Sequence, residues 1–101
     1  MADGVMITVE FVFKPGTVDA FCATLPDMLK DTARRPGFRD IKVVRHNEDP
    51  NKVLFLETWD SEGHYNAYLA WRQERGDMDA LAQAVTSFQV NFWPQLVTRV
   101  P

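Results

Sequence analysis

The chain is poor in the residues that build cross-links and metal sites. Its 101 residues include one cysteine, Cys22, and two histidines, His46 and His64. A single cysteine closes no internal disulfide and fits a reducing compartment, so a cytoplasmic location is expected. With the two histidines far from it in sequence, no protein-only zinc site is expected either. Positive charge is also sparse. Eleven Lys and Arg stand against 14 Asp and Glu, for a net charge of −3. The basic residues are scattered, which argues against a nucleic-acid partner. No apolar run approaches the roughly 18 residues of a membrane span, so no membrane partner is expected. Met1-Ala2-Asp3-Gly4 has neither a basic n-region nor an apolar h-region, so no secretory leader is expected. Gly-rich phosphate loops, a Gly-x-Ser-x-Gly elbow and a Cys-x-x-Cys pair are all missing. So are repeats and linkers.

What is present is ordinary for a globular chain: 46% apolar and 25% charged residues. One domain is expected over residues 1–101, with its core over 5–93 and an extended tail over 94–101. Size scaling gives a folded surface of about 5,800 Å² for this length, which leaves a thin core.

Apolar periodicity places the elements. Residues 5–13 alternate, with Val5, Ile7, Val9, Phe11 and Phe13 on one face, which predicts a strand. Lys14-Pro15-Gly16 ends it, and Thr17 is the expected cap of a helix. Val18, Phe21, Cys22, Leu25, Met28 and Leu29 then recur at helical spacing to about Ala33. Pro26 lies inside this helix and predicts a kink or two short helices. Cys22, on the apolar stripe, reads as packing. Asp27, Asp31, Arg34 and Arg35 read as solvated charges. Arg34-Arg35-Pro36-Gly37 stops the helix. Strands are expected over 38–45 and 53–59, joined by the polar loop 46–51. Asp60 or Ser61 caps a second helix to about Arg75, a shorter helix spans 78–85, and a last strand spans 88–93. This is an α+β, ferredoxin-like β-α-β-β-α-β order with an antiparallel sheet.

The strand at 53–59 is apolar on both faces. Val53, Phe55 and Trp59 share one face with Glu57, and Leu54 and Leu56 take the other. The first strand has the same tendency through Met6 and Val12. A sheet with helices on one side normally has a polar second face. A second copy of the chain is the expected cover, giving a homodimer packed through its sheet faces.

On a helical wheel from Ser61, Tyr65, Tyr68, Leu69 and Arg72 share one face, flanked by His64 and Trp71. Asn66 falls off that face. An inward arginine needs a partner, because an unpaired buried charge is costly. Glu57 is one option and an anionic ligand group is the other. Phe11, Phe55, Glu57, Trp59, Tyr65, Tyr68, Trp71, Arg72 and His64 together describe an apolar pocket with a few convergent polar groups. His64 could serve as a base near neutral pH.

These residues resemble the antibiotic biosynthesis monooxygenase family. The resemblance covers roughly residues 5–93. It rests on the strand ending in Lys14-Pro15-Gly16, the turn Arg35-Pro36-Gly37-Phe38, the hairpin Asp49-Pro50-Asn51, and Glu57-Thr58-Trp59 leading into a helix. The resemblance implies a dimeric α/β barrel of ferredoxin-like protomers, each with a pocket between sheet and helices. It also implies one of several activities. Some members oxidise polycyclic phenols or quinols with O₂ and without metal or flavin; others degrade haem or isomerise small metabolites. Haem-degrading members use a first-strand Asn, a Trp at the end of the third strand, which Trp59 matches, and a later-helix His. Here that strand has Val9 and Glu10, and Ala80 to Val85 has no His. Many members place a His on the second helix where this chain has Tyr68, with His64 one turn earlier. The expectation is therefore a cofactor-independent monooxygenase acting on a small aromatic substrate and O₂. In it the substrate stacks on Trp59 and Phe11, Tyr68 or His64 contacts the phenol oxygen, and Arg72 steadies the anion. Phe55, Glu57, Tyr65 and Trp71 complete the binding set. The alternative is a non-oxidative isomerase, working through Glu57 and His64, or a metabolite-binding protein on the same dimer.

Overall fold

A computed structural model describes residues 4–101, and the reading of residues 1–3 lies outside it. The alternating segment is β1 (Val5–Phe13), with every odd-numbered side chain buried and every even-numbered one exposed or half-buried. It is followed by α1 (Val18–Thr32), β2 (Phe38–Arg45), β3 (Lys52–Trp59), α2 (Glu62–Glu74), α3 (Asp77–Ala84) and β4 (Val85–Trp93). The strands form one antiparallel sheet in the order β2-β3-β1-β4, so β1 and β3 are central. The helices cover the face that carries Ile7, Val9, Phe11, Phe55, Glu57 and Trp59. The order β-α-β-β-α-α-β is the ferredoxin-like unit with one additional short helix.

Several local expectations need correcting. Pro26 does not divide α1, which runs unbroken through it. The helix tolerates the missing donor because its register is set by Val18, Leu25 and Thr32, buried at every second turn. Thr17 stands at the N-cap position, but its side chain does not cap. Its hydroxyl donates to Lys14 O at 2.7 Å and to Ala84 O at 3.3 Å, tying the β1–α1 turn to the end of α3. Strand β4 begins at Val85, not Phe88, because Val85 pairs with Phe13 across a register shift. Arg35 is not a solvated charge. It is half-buried over the Trp71 ring at 4.5 Å, and its Nε has no acceptor among the described residues. Ser61, not Asp60, caps α2, accepting from His64 N at 3.1 Å. Gly37 has φ 84°, and any Cβ there would strike the His64 ring, so this turn requires glycine.

The opposite sheet face is mixed. It carries Met6, Val12, Val44, Leu54, Leu56 and Trp93 among Thr8, Glu10, Lys42 and Gln89. Met6, Val44 and Trp93 are exposed there. The chain's accessible surface is 6795 Å², against about 5,800 Å² from size scaling. The excess fits an uncovered sheet face and an extended tail beyond Trp93. Among the described residues, no helix is long and apolar enough to cross a membrane.

Candidate active site

Helices α1, α2 and α3 do not close fully on the sheet. Between them lies a cavity of about 830 Å³. Its floor is Val9 and Phe11 of β1, Phe55 and Glu57 of β3, and Phe88 and Val90 of β4. Phe21 and Met28 of α1, Tyr65, Tyr68 and Arg72 of α2, and Met78 and Leu81 of α3 form the walls. Helix α3 has no buried residue and acts as one side of this chamber. The lining is overwhelmingly apolar, and its size is that of a small-molecule site.

Glu57 is the exception on the floor. Strand parity puts it there: it occupies the inward position between Phe55 and Trp59. It is 4% exposed and accepts one hydrogen bond, from Trp59 Nε1 at 3.1 Å. No cation pairs with it among the described residues. Burial pushes its carboxyl up from 4.5 to about 7, and the Trp59 hydrogen bond offsets only part of that. Glu57 can therefore hold or release a proton near neutrality inside an apolar chamber. Tyr65 lines the same chamber and makes no side-chain hydrogen bond among the described residues. Burial, then the charges of Glu57 and Tyr68, raise its phenol well above the ordinary value, so it stays a donor.

Arg72 does not bridge to Glu57, contrary to one of the two expected pairings. Its Nη1 donates to Asp77 at 2.8 Å, Nη2 to Met28 O at 2.7 Å and Thr32 Oγ1 at 2.8 Å, and Nε to the Tyr68 hydroxyl at 3.2 Å. Tyr68 and Thr32 are themselves joined at 2.9 Å. Burial pulls the guanidinium down, but the bonds to Asp77 and Tyr68 outweigh it and the net shift is upward. The arginine is 3% exposed and binds α1, α2 and α3 together. The physical reason is reach. Gly76, in the left-handed region at φ 78°, turns the chain so that Asp77 returns beside Arg72.

The other expected site residues divide sharply. Phe11, Phe55, Glu57, Tyr65, Tyr68 and Arg72 meet in the cavity. Trp59 is fully buried behind it, packed on Tyr68 at 4.9 Å and Tyr65 at 6.0 Å, so it offers no stacking face. Trp71 lies outside the lining, with Arg35, Arg72 and Arg75 over its ring at 4.5–4.8 Å. His64 is exposed at the start of α2, its Nδ1 bonded to Ser61 Oγ at 2.7 Å. It is not among the cavity's lining, so the structure does not bring Glu57 and His64 together there. Asn66 is exposed, as the wheel placed it.

The family's sequence profile matches residues 4–76, from the start of β1 to the end of α2. The chain belongs to the antibiotic biosynthesis monooxygenase family. Solved structures share the fold across nearly the whole chain. SnoaB from Streptomyces nogalater, a cofactor-independent oxygenase, is 18% identical with a TM-score of 0.81, covering 99% of each chain. A conserved protein from Methanosarcina mazei is 18% identical, TM-score 0.81, covering 92% of this chain and 93% of its own. One from Shewanella oneidensis is 22% identical, TM-score 0.77, covering 90% and 89%. No curated protein matches the chain. The family match ends at Gly76, so α3 and β4, which close the cavity, lie beyond it.

Two functional neighbours were missed from sequence. Thr32 is fully buried at the end of α1 and joins the arginine hub. Its signal was present: a threonine one turn beyond Met28, in phase with Val18 and Leu25. Asp77 reads as a helix breaker beside Gly76, and nothing local says that it folds back on Arg72.

Proposed function

We propose that this family member is a cofactor-independent monooxygenase that oxidises a phenolic, quinol or polycyclic aromatic substrate with O₂. One observation carries the reading: the floor of an apolar chamber holds a buried carboxyl, Glu57, that no cation among the described residues answers. Asp77, the other carboxyl of the lining among the described residues, is paired with Arg72 and Arg75. A buried base facing an apolar slot suits removal of a proton from an activated ring position. In an anthrone-type substrate, Glu57 takes one proton from the reacting CH₂ group. Tyr65 donates a hydrogen bond to the oxyanion that forms. The carbanion gives its electron pair to O₂, a carbon–oxygen bond forms, and the proton returns to the peroxide. Loss of water, with the second C–H proton, leaves the carbonyl. One oxygen atom enters the product and the other leaves as water. Arg72 keeps Tyr68 and α3 in place and is not the group that meets the developing negative charge, because Asp77 already neutralises the arginine.

The working unit in this proposal is a homodimer joined through the second sheet face, and its location is cytoplasmic. Exposed Met6, Val44 and Trp93 on that face support the first. Sedimentation at micromolar concentration should give twice the chain mass; a stable monomer would remove the dimer from the proposal.

The activity test is oxygen uptake with an anthrone and with a quinol in chelator-treated buffer. Uptake above the blank, with one labelled atom of ¹⁸O₂ in the anthrone's product, is the expected result. Thermal stabilisation by the same compounds without oxygen consumption would replace this reading with the metabolite-binding one.

A further inference from the structure

The charges lining the cavity do not cancel. Among the described residues they are two carboxyls, Glu57 and Asp77, and one guanidinium, Arg72. Arg72 and Asp77 meet at 2.8 Å. Each of the three Arg72 nitrogens already donates to a protein acceptor. The lining therefore offers no free cation to an anionic ligand.

Glu57 is left over. It is 4% exposed, and its one hydrogen bond comes from Trp59 Nε1 to Oε1. Among the described residues, Arg35 Nε is the one side-chain nitrogen or oxygen that is both sealed in protein and without a partner. Glu57 Oε2, which accepts nothing, is therefore not sealed and opens on the cavity that Glu57 lines. The same holds for the Tyr65 hydroxyl. A carboxylate in an apolar wall is costly until a cation pairs with it. Aromatic rings stand around this one. Phe55 is the next inward residue of β3 and meets Phe11 edge-on at 5.3 Å. Ring faces attract cations as well.

We propose that the cavity binds a monocationic arylalkylamine, its ammonium paired with Glu57 Oε2 and its aromatic part among Phe11, Phe55 and Tyr65. One unanswered carboxylate matches one positive charge, and the apolar lining takes the aryl group. The inference does not rest on the proposed oxidation. An ammonium at Glu57 occupies the base of that chemistry, so amine and aromatic substrate exclude each other.

Binding follows the charge of Glu57. Burial raises its carboxyl to about 7, with the Trp59 hydrogen bond acting against burial. Around it, β1, α1 and β4 contribute no titratable side chain to the lining, and β2 places Ile41 beside it. From α2 come Tyr65, held protonated, and Tyr68 and Arg72, which form one bonded group with Asp77 of α3. Below about 7 an entering ammonium must displace the Glu57 proton, and above it need not. An alkylammonium keeps its own charge across this range, as lysine does.

The test is calorimetric titration with naphthylmethylamine and with naphthylmethanol, its neutral counterpart of similar shape. At about pH 8 the wild type should bind the amine about ten-fold or more tightly than the alcohol, the scale of a buried hydrogen bond between charged groups. The amine's Kd should fall about ten-fold from about pH 6 to about pH 8, and the alcohol's should not follow it. Glu57→Gln should weaken the amine about ten-fold or more, leave the alcohol within about two-fold and remove the pH dependence. No amine binding by the wild type, equal affinity for amine and alcohol, or an amine Kd level across this range would each overturn the inference, and none of these needs a variant. A folded Glu57→Gln that keeps the amine's affinity would overturn it too. Oxygen uptake decides the proposed oxidation separately: if the amine binds as expected and no uptake is seen, the amine site stands and the oxidation fails.

Discussion

Glu57→Gln is expected to lower oxygen uptake by about 100-fold or more, within the range a positioned base contributes. Glutamine has the same shape, and its carbonyl can still accept from Trp59 Nε1. The variant should therefore fold and bind. Wild-type uptake should rise as pH passes through about 7, where the buried carboxyl loses its proton. The variant should show no such rise. Stability should move the other way. The folded carboxyl holds its proton up to about 7, whereas the unfolded one releases it near 4.5. Between those values the native state binds the extra proton, so stability falls as pH rises and then levels off above about 7. The span is of order 3 kcal/mol. Denaturant titrations across that window should show the slope in the wild type and lose it in Glu57→Gln. Uptake within about two-fold of the wild type would remove Glu57 from the chemistry.

Arg72→Ala should be the most destabilising single change in the helical layer, by about 3–5 kcal/mol. The substitution leaves Asp77 with only its longer contact to Arg75 and leaves Thr32, Met28 O and the Tyr68 hydroxyl without their shared donor. A loss of that size is a large part of an ordinary domain's margin. It also frees α3, which has no buried side chain of its own to hold it. Arg72→Lys should recover less than half, because a single ammonium cannot reach partners on three helices at once. Urea unfolding at fixed protein concentration measures both. A residue that only steadied a substrate anion would leave the midpoint unchanged, so an Arg72→Ala midpoint equal to the wild type would sink the structural assignment.

The parts legible in sequence were those governed by a short period. Two-residue alternation located β1 and β3, and it put Glu57 on the same face as Phe55 and Trp59. Helical spacing put Tyr65, Tyr68 and Arg72 on the inward side of α2, where all three are buried. A shared face alone does not bring a side chain to the cavity. Trp59 has the right parity, but Tyr65 and Tyr68 pack over it and seal it from the cavity. His64 sits at the edge of the inward arc, and the Ser61 cap draws its ring outward to Nδ1. Phe88 reads from sequence as a strand residue only, because it is the pairing with Phe11 that brings it to the cavity.

The sequence by itself determined the order of strands and helices, which strand residues face inward and that a charged residue stands on the inner side of α2. Those follow from local stereochemistry, which repeats every two or 3.6 residues and needs no distant contact. Tertiary structure alone decided which charges meet. Arg72 found Asp77 and not Glu57 because a left-handed turn at Gly76 brings α3 back across the cavity. That choice leaves Glu57 without a cation among the described residues, in an apolar chamber. Desolvation there, a property of everything packed around the carboxyl, raises its affinity for a proton.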